Sequence, residues 1–162
     1  MELVLQICQT LSVSFLAAWL TLGVWDNIRH PSLNRDVVRD VLCMARLAEM
    51  YPDIYAQISY RTISRGWLVR LVFAGIVALE ATVVVALWVA AFSLFGGADH
   101  ALALAMLAVL GFTSIWALFL IAGNWFCYWC CHEGAQNTHY QMVLWGLATL
   151  VLLIVSSLDL SD

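Results

Sequence analysis

Positions 71–95 read LVFAGIVALEATVVVALWVAAFSLF, twenty-five residues with one charged side chain, Glu80. A helix rises 1.5 Å per residue, so about 20 apolar residues cross a hydrocarbon core of about 30 Å, and this stretch is long enough. Inside a bilayer the backbone must satisfy its own hydrogen bonds, which leaves a helix or a closed barrel. Barrel strands are half as long and alternate in polarity, which this stretch does not.

Outward from it, three further runs have the same character: positions 3–25, 101–123 and 140–158. Across 162 residues, 64% are hydrophobic and 11% charged, against roughly 25% charged in a soluble domain. The expected fold is all-α, a single domain of four transmembrane helices. Spans two and three are joined by Gly96-Gly97-Ala98-Asp99-His100, where the glycines permit a left-handed turn and Asp99 is placed to cap the next helix. Gly75, Gly111, Gly123 and Gly146 are expected at close helix contacts.

Positions 26–70 form the one sizeable polar connection. After Pro31, with Ser32 or Asn34 as N-cap, Val37, Val38, Val41, Leu42, Ala45 and Ala48 recur at helical spacing against Arg35, Asp36, Arg39, Asp40, Arg46 and Glu49. This predicts an interfacial amphipathic helix of about four turns, ended at Tyr51-Pro52.

There is no lysine, and the seven arginines all fall between positions 29 and 70. The positive-inside rule therefore places the first and third loops in the cytoplasm and both termini in the periplasm of a bacterial inner membrane. The acidic Asp159 and Asp162 agree with that orientation, as do Trp25, Trp67, Trp125, Trp129 and Tyr140, all expected at the cytoplasmic interface. The N-terminal run lacks a positive n-region and reads as a retained span. A net charge of −4, with acids interleaved among the arginines, speaks against nucleic-acid binding. The five cysteines do not pattern as a disulfide framework and are expected reduced.

Two groups of residues could carry chemistry. Glu80 is expected well inside span two, and depth counting brings Ser14, Thr113, Ser114, Trp116 and Thr149 to its level as hydrogen-bond partners. A neutral carboxylic acid bridging helices is the ordinary reading; a proton-coupled carrier is the functional one. The second group is Cys127, Cys130, His132 and His139, with Glu133 beside them. Its C-x-x-C spacing and imidazoles suit copper or zinc, and His30, His132 and His139 could hold a haem b at the surface. Against this, cysteine in apolar helices is often only a small hydrophobe.

A further pattern runs along the chain: Asn27, Asn34, Val38-Arg39-Asp40-Val41-Leu42-Cys43-Met44, Tyr60-Arg61-Thr62-Ile63, Glu80, then Gly123-Asn124-Trp125-Phe126-Cys127-Tyr128-Trp129 and Gln136. It resembles a bacterial family of predicted small integral membrane proteins of unknown function, most specifically in Trp125, Phe126, Trp129 and Gln136. The resemblance implies four spans and an inner-membrane location, and supplies no activity. Relative to the family pattern, Asn124 stands in place of an acidic residue and Gln141 in place of an arginine.

With no complete catalytic set, the leading expectation is a non-catalytic accessory subunit of a larger membrane complex, of the electron-transfer or energy-conversion kind. Its partners would be other transmembrane subunits and lipids, with lipid or quinone in its grooves. A small metal- or haem-binding redox protein is the alternative, and a carrier centred on Glu80 the third reading.

Overall fold

Seven helices account for nearly all of the chain in the computed structural model, which describes residues 2–159; Asp162 lies outside the described residues. In order they are α1 (Glu2–Arg29), α2 (Pro31–Cys43), α3 (Ala45–Met50), α4 (Pro52–Ile58), α5 (Gly66–Gly96), α6 (Ala101–Trp125) and α7 (Glu133–Asp159), with 3₁₀ turns at Ser59–Arg61 and Tyr128–Cys130. No strand occurs among the described residues. α1, α5, α6 and α7 are each long and apolar enough to cross a membrane, and together make a four-span helical bundle.

The spans pack in sequence: α1 along α5, α5 along α6, α6 along α7. At their shared interface Val13, Leu16, Leu87, Val109, Phe112, Ile115 and Leu153 are buried, while large apolar side chains such as Phe92 and Phe95 cover the outside. A soluble protein would not expose such a surface; in a bilayer it meets lipid. Polar side chains pin the helices together at intervals. Gln6 donates to the Leu94 carbonyl (2.7 Å), Gln9 to Ser156 Oγ (2.7 Å), and Trp88 Nε1 to Thr21 Oγ1 (3.0 Å).

Three of the four glycines expected at close contacts are there. A Cβ on Gly111 would lie 3.3 Å from Val83, one on Gly123 would lie 2.6 Å from the Tyr128 ring, and one on Gly146 would collide with Thr113 Oγ1. Gly75 has open space instead. The α5–α6 turn closes as a Schellman motif: Gly97 has φ +67°, its amide bonds Leu94 O, and that of Ala98 bonds Ser93 O. The cap of α6 is His100, not Asp99, and no side chain bonds the helix start.

The connection departs from one continuous amphipathic helix. Pro31 is the first residue of α2, preceded by His30 as cap rather than Ser32 or Asn34. α2 then ends at Met44, a left-handed residue (φ 52°), and α3 restarts after it. Met44 is buried with Leu42, Leu47, Val69 and Phe126 in a second, smaller apolar core. That burial holds a residue conformation costing roughly 1–2 kcal/mol.

α1 also ends at a different level from its neighbours. Asn27, two residues before the end of α1, touches Glu80, which lies fourteen residues into α5, about 21 Å at 1.5 Å per residue. The first three turns of α5 therefore project beyond the end of α1. α2 turns back over this step, packing on α1 and α5.

Candidate functional site

The step leaves a cavity of about 470 Å³ on the loop side, the end of the bundle that carries α2–α4. Its floor is Trp19, Leu20 and Gly23 of α1, where Trp19 meets Trp116 edge to face at 5.3 Å. Phe73 and Ile76 of α5, Phe119 and Gly123 of α6 and His139 of α7 form its walls, and Val38 and Val41 of α2 its roof. Asn34 and Val37 of α2 and Thr138 of α7, all exposed, mark its rim.

Its polar groups are few and placed by specific helix features. Asn34 donates to Asn27 Oδ1 (2.8 Å), and Asn27 donates to Glu80 Oε2 (2.9 Å). The two asparagines face each other because the chain reverses at His30-Pro31 between them. Glu80 is 5% exposed and has no ionic partner among the described residues. Asp26 and Arg29, both exposed, share the last turn of α1 with Asn27. Exposed charges are costly within hydrocarbon, so Asp26 and Arg29 put the end of α1 near water.

On the α6–α7 side, absence of a Cβ at Gly123 lets the Tyr128 ring lie flat on α6. Cys127, left-handed at φ 52°, turns the chain to place it there. Tyr128 stacks on His139 (6.0 Å), and His139 also meets Phe119 (5.1 Å) and Trp116 (5.5 Å). Trp116 Nε1, Tyr128 OH and His139 Nδ1 are three of four buried side-chain atoms without a hydrogen-bond partner among the described residues. Each such group costs about 1–3 kcal/mol, and the three residues that carry them all line this one cavity. Burial pushes the Tyr128 phenol above its usual range, so it stays a neutral donor.

The expected partners of Glu80 are not its partners. Ser14, Thr113 and Thr149 each bond a carbonyl four residues back in their own helix, and Ser114 is exposed. Trp116 alone of that group shares the cavity with Glu80. Depth counting failed because it began every span at one level.

Cys127, Cys131 and His132 lie around one small pocket with Asp40, whereas His139 lies in the larger cavity. Cys127, Cys130 and Cys131 pack against the second apolar core, and all five cysteines are free. Burial pushes the Cys130 and Cys131 thiols up. His132 lies 3.8 Å from Asp40, whose carboxylate already holds Arg46 at 2.6 Å. Of His30, His132 and His139, only His139 lines the cavity. Among the described residues no three His, Cys, Asp or Glu side chains gather closely enough to hold a metal ion. Of the residues in the family-like pattern, Asn27, Asn34, Val38, Val41, Leu42, Glu80, Gly123, Phe126 and Tyr128 line the cavity. Trp125 and Trp129 are exposed and Gln136 is half-buried. Sequence reading missed Trp19, Gly23 and Phe73; the available signal was the pair Asn27 and Asn34 on either side of His30-Pro31.

Fold and site together define a four-span integral membrane protein with an aromatic cavity at one end, closed by its longest connection. A family model described as a predicted small integral membrane protein (DUF2165) matches residues 5–156, and the chain belongs to this family. No curated protein and no solved structure matches it.

Proposed function

We propose that this protein binds a lipophilic small molecule in the loop-side cavity, with Glu80 and Asn27 as its polar anchor. The observation that carries this reading is that one 470 Å³ apolar cavity is lined by a buried carboxyl group with no ionic partner and by three residues that each hold a buried polar atom without a partner among the described residues. Small-molecule sites have this composition and this size, roughly 300–1,000 Å³. In the same reading the loop side is cytoplasmic in a bacterial inner membrane, which the confinement of all seven arginines to positions 29–70 supports. Service as an accessory subunit of a larger complex is compatible with it, since a bound lipophile can be handed to a neighbour.

Gly23 supplies the test, because it lines the cavity and a Cβ there would meet nothing within 4 Å. Gly23→Phe should fill the cavity from the floor without breaking helix packing. Mass spectrometry of solvent extracts should find a small molecule with the wild-type protein that is depleted at least about tenfold in the variant, the equivalent of 1.4 kcal/mol. Identical extracts from the two proteins would end the reading.

A further inference from the structure

The charge inventory of the cavity narrows the ligand class, an argument that rests on the binding reading above. Among the described residues Glu80 is the one acidic side chain in the lining, and no arginine lines the cavity to meet a phosphate or a carboxylate. Among aliphatic side chains, six aromatic rings line it: Trp19, Phe73, Trp116, Phe119, Phe126 and Tyr128. An anionic headgroup would be repelled by the Glu80 carboxylate and would find only neutral donors, and no arginine, in the described lining to offset that cost. A cation with an apolar body meets the opposite conditions, a carboxylate for its charge and aromatic faces for its periphery. Glu80 Oε2 is held by Asn27, and Oε1 has no hydrogen-bond partner among the described residues.

We propose that the cavity takes a lipophilic organic cation, a quaternary or protonated amine class of ligand, in exchange for the proton on Glu80. In the exchange the carboxyl O–H gives its proton to water, and the carboxylate pairs with the cation, so the net charge of the site is unchanged. Binding then tightens as pH rises, because the proton is the competitor.

The groups that could confuse this dependence are known for each element packed on α5. α1 brings Asn27, with Asp26 and Arg29 exposed beside it, and α2 brings Asn34, with Arg35 and Asp36 adjacent. α6 contains no titratable residue. Tyr128 and His139 line the far wall, and protonation of His139 would also repel a cation at low pH, so removal of Glu80 is needed to tell them apart.

The experiment is calorimetric titration of the full-length protein in neutral detergent with tetraphenylphosphonium, and with triphenylphosphine oxide as a neutral aryl probe. Wild type should bind the phosphonium with a Kd that falls by up to about tenfold per pH unit while Glu80 is protonated. Glu80→Gln should weaken that binding at least tenfold at pH 8 and flatten its pH dependence, whereas Glu80→Asp should keep both. A Glu80→Gln protein that binds the phosphonium as tightly as wild type, or with the same pH slope, overturns the proposal. Binding of the neutral oxide alone also overturns it and leaves the cavity reading standing, with a neutral head such as a quinone as ligand. Binding of neither probe, together with identical extracts from the Gly23→Phe protein, removes both.

Discussion

At His132 two effects compete. Its side chain is 8% exposed, which disfavours the imidazolium, while Asp40 at 3.8 Å favours it. Arg46 engages the same Asp40 oxygen at 2.6 Å and repels a second positive charge. Burial wins, and the histidine is held below its ordinary value of 6.5. A group bound neutral in the folded state gains affinity for protons on unfolding, so its stabilising contribution is complete above about pH 6.5 and declines as pH falls below it. Thermal unfolding in detergent should therefore show a lower Tm at pH 5 than at pH 7. His132→Gln, which keeps the volume but not the titration, should reduce that difference; an undiminished difference would assign it to other groups.

At the scale of elements, the four spans were legible because bilayer crossing imposes a length and composition that few other structures share. Their close-packing glycines were legible only in part, since spacing does not reveal which helix face meets a neighbour. Gly146 and Gly75 make the contrast measurable. Gly146→Ala drives a methyl into Thr113 and the Phe112 ring, and should destabilise by about 1–3 kcal/mol. Gly75→Ala meets open space and should be neutral or stabilising by up to about 1 kcal/mol, through helix propensity. Chemical unfolding in mixed micelles distinguishes them, and equal effects would mean the α6–α7 interface is looser than described. The break at Met44 was not legible for a different reason. The apolar spacing from Val37 to Ala48 continues through it, and only the burial of Met44 against Leu47, Val69 and Phe126 selects the left-handed turn.

For the molecule as a whole, the cavity exists because four spans of similar length are not level, and no pattern within one span records its offset from the next. What closes the step is a strap. Arg61 donates to the Trp125 carbonyl (3.1 Å) and lies 4.5 Å over the Trp125 ring, tying the connection to the end of α6. Two residues on, the Ile63 amide bonds Leu42 O (2.8 Å) and its carbonyl accepts from Cys43 Sγ (3.3 Å), which ties the strap to the end of α2. The roof of the cavity is thus held to its far wall through Arg61. A hydrogen bond from a charged donor and a partly exposed cation–π pair together are worth about 1–2 kcal/mol after solvent screening. Arg61→Ala should raise the open population of the roof about 5–30-fold while leaving the spans folded. Hydrogen exchange should then accelerate across residues 31–43 and stay unchanged in the buried middles of α5 and α6. Acceleration spread evenly over all helices would mean that Arg61 supports the bundle itself, and an unchanged α2 would mean that its packing on α1 and α5 closes the cavity unaided.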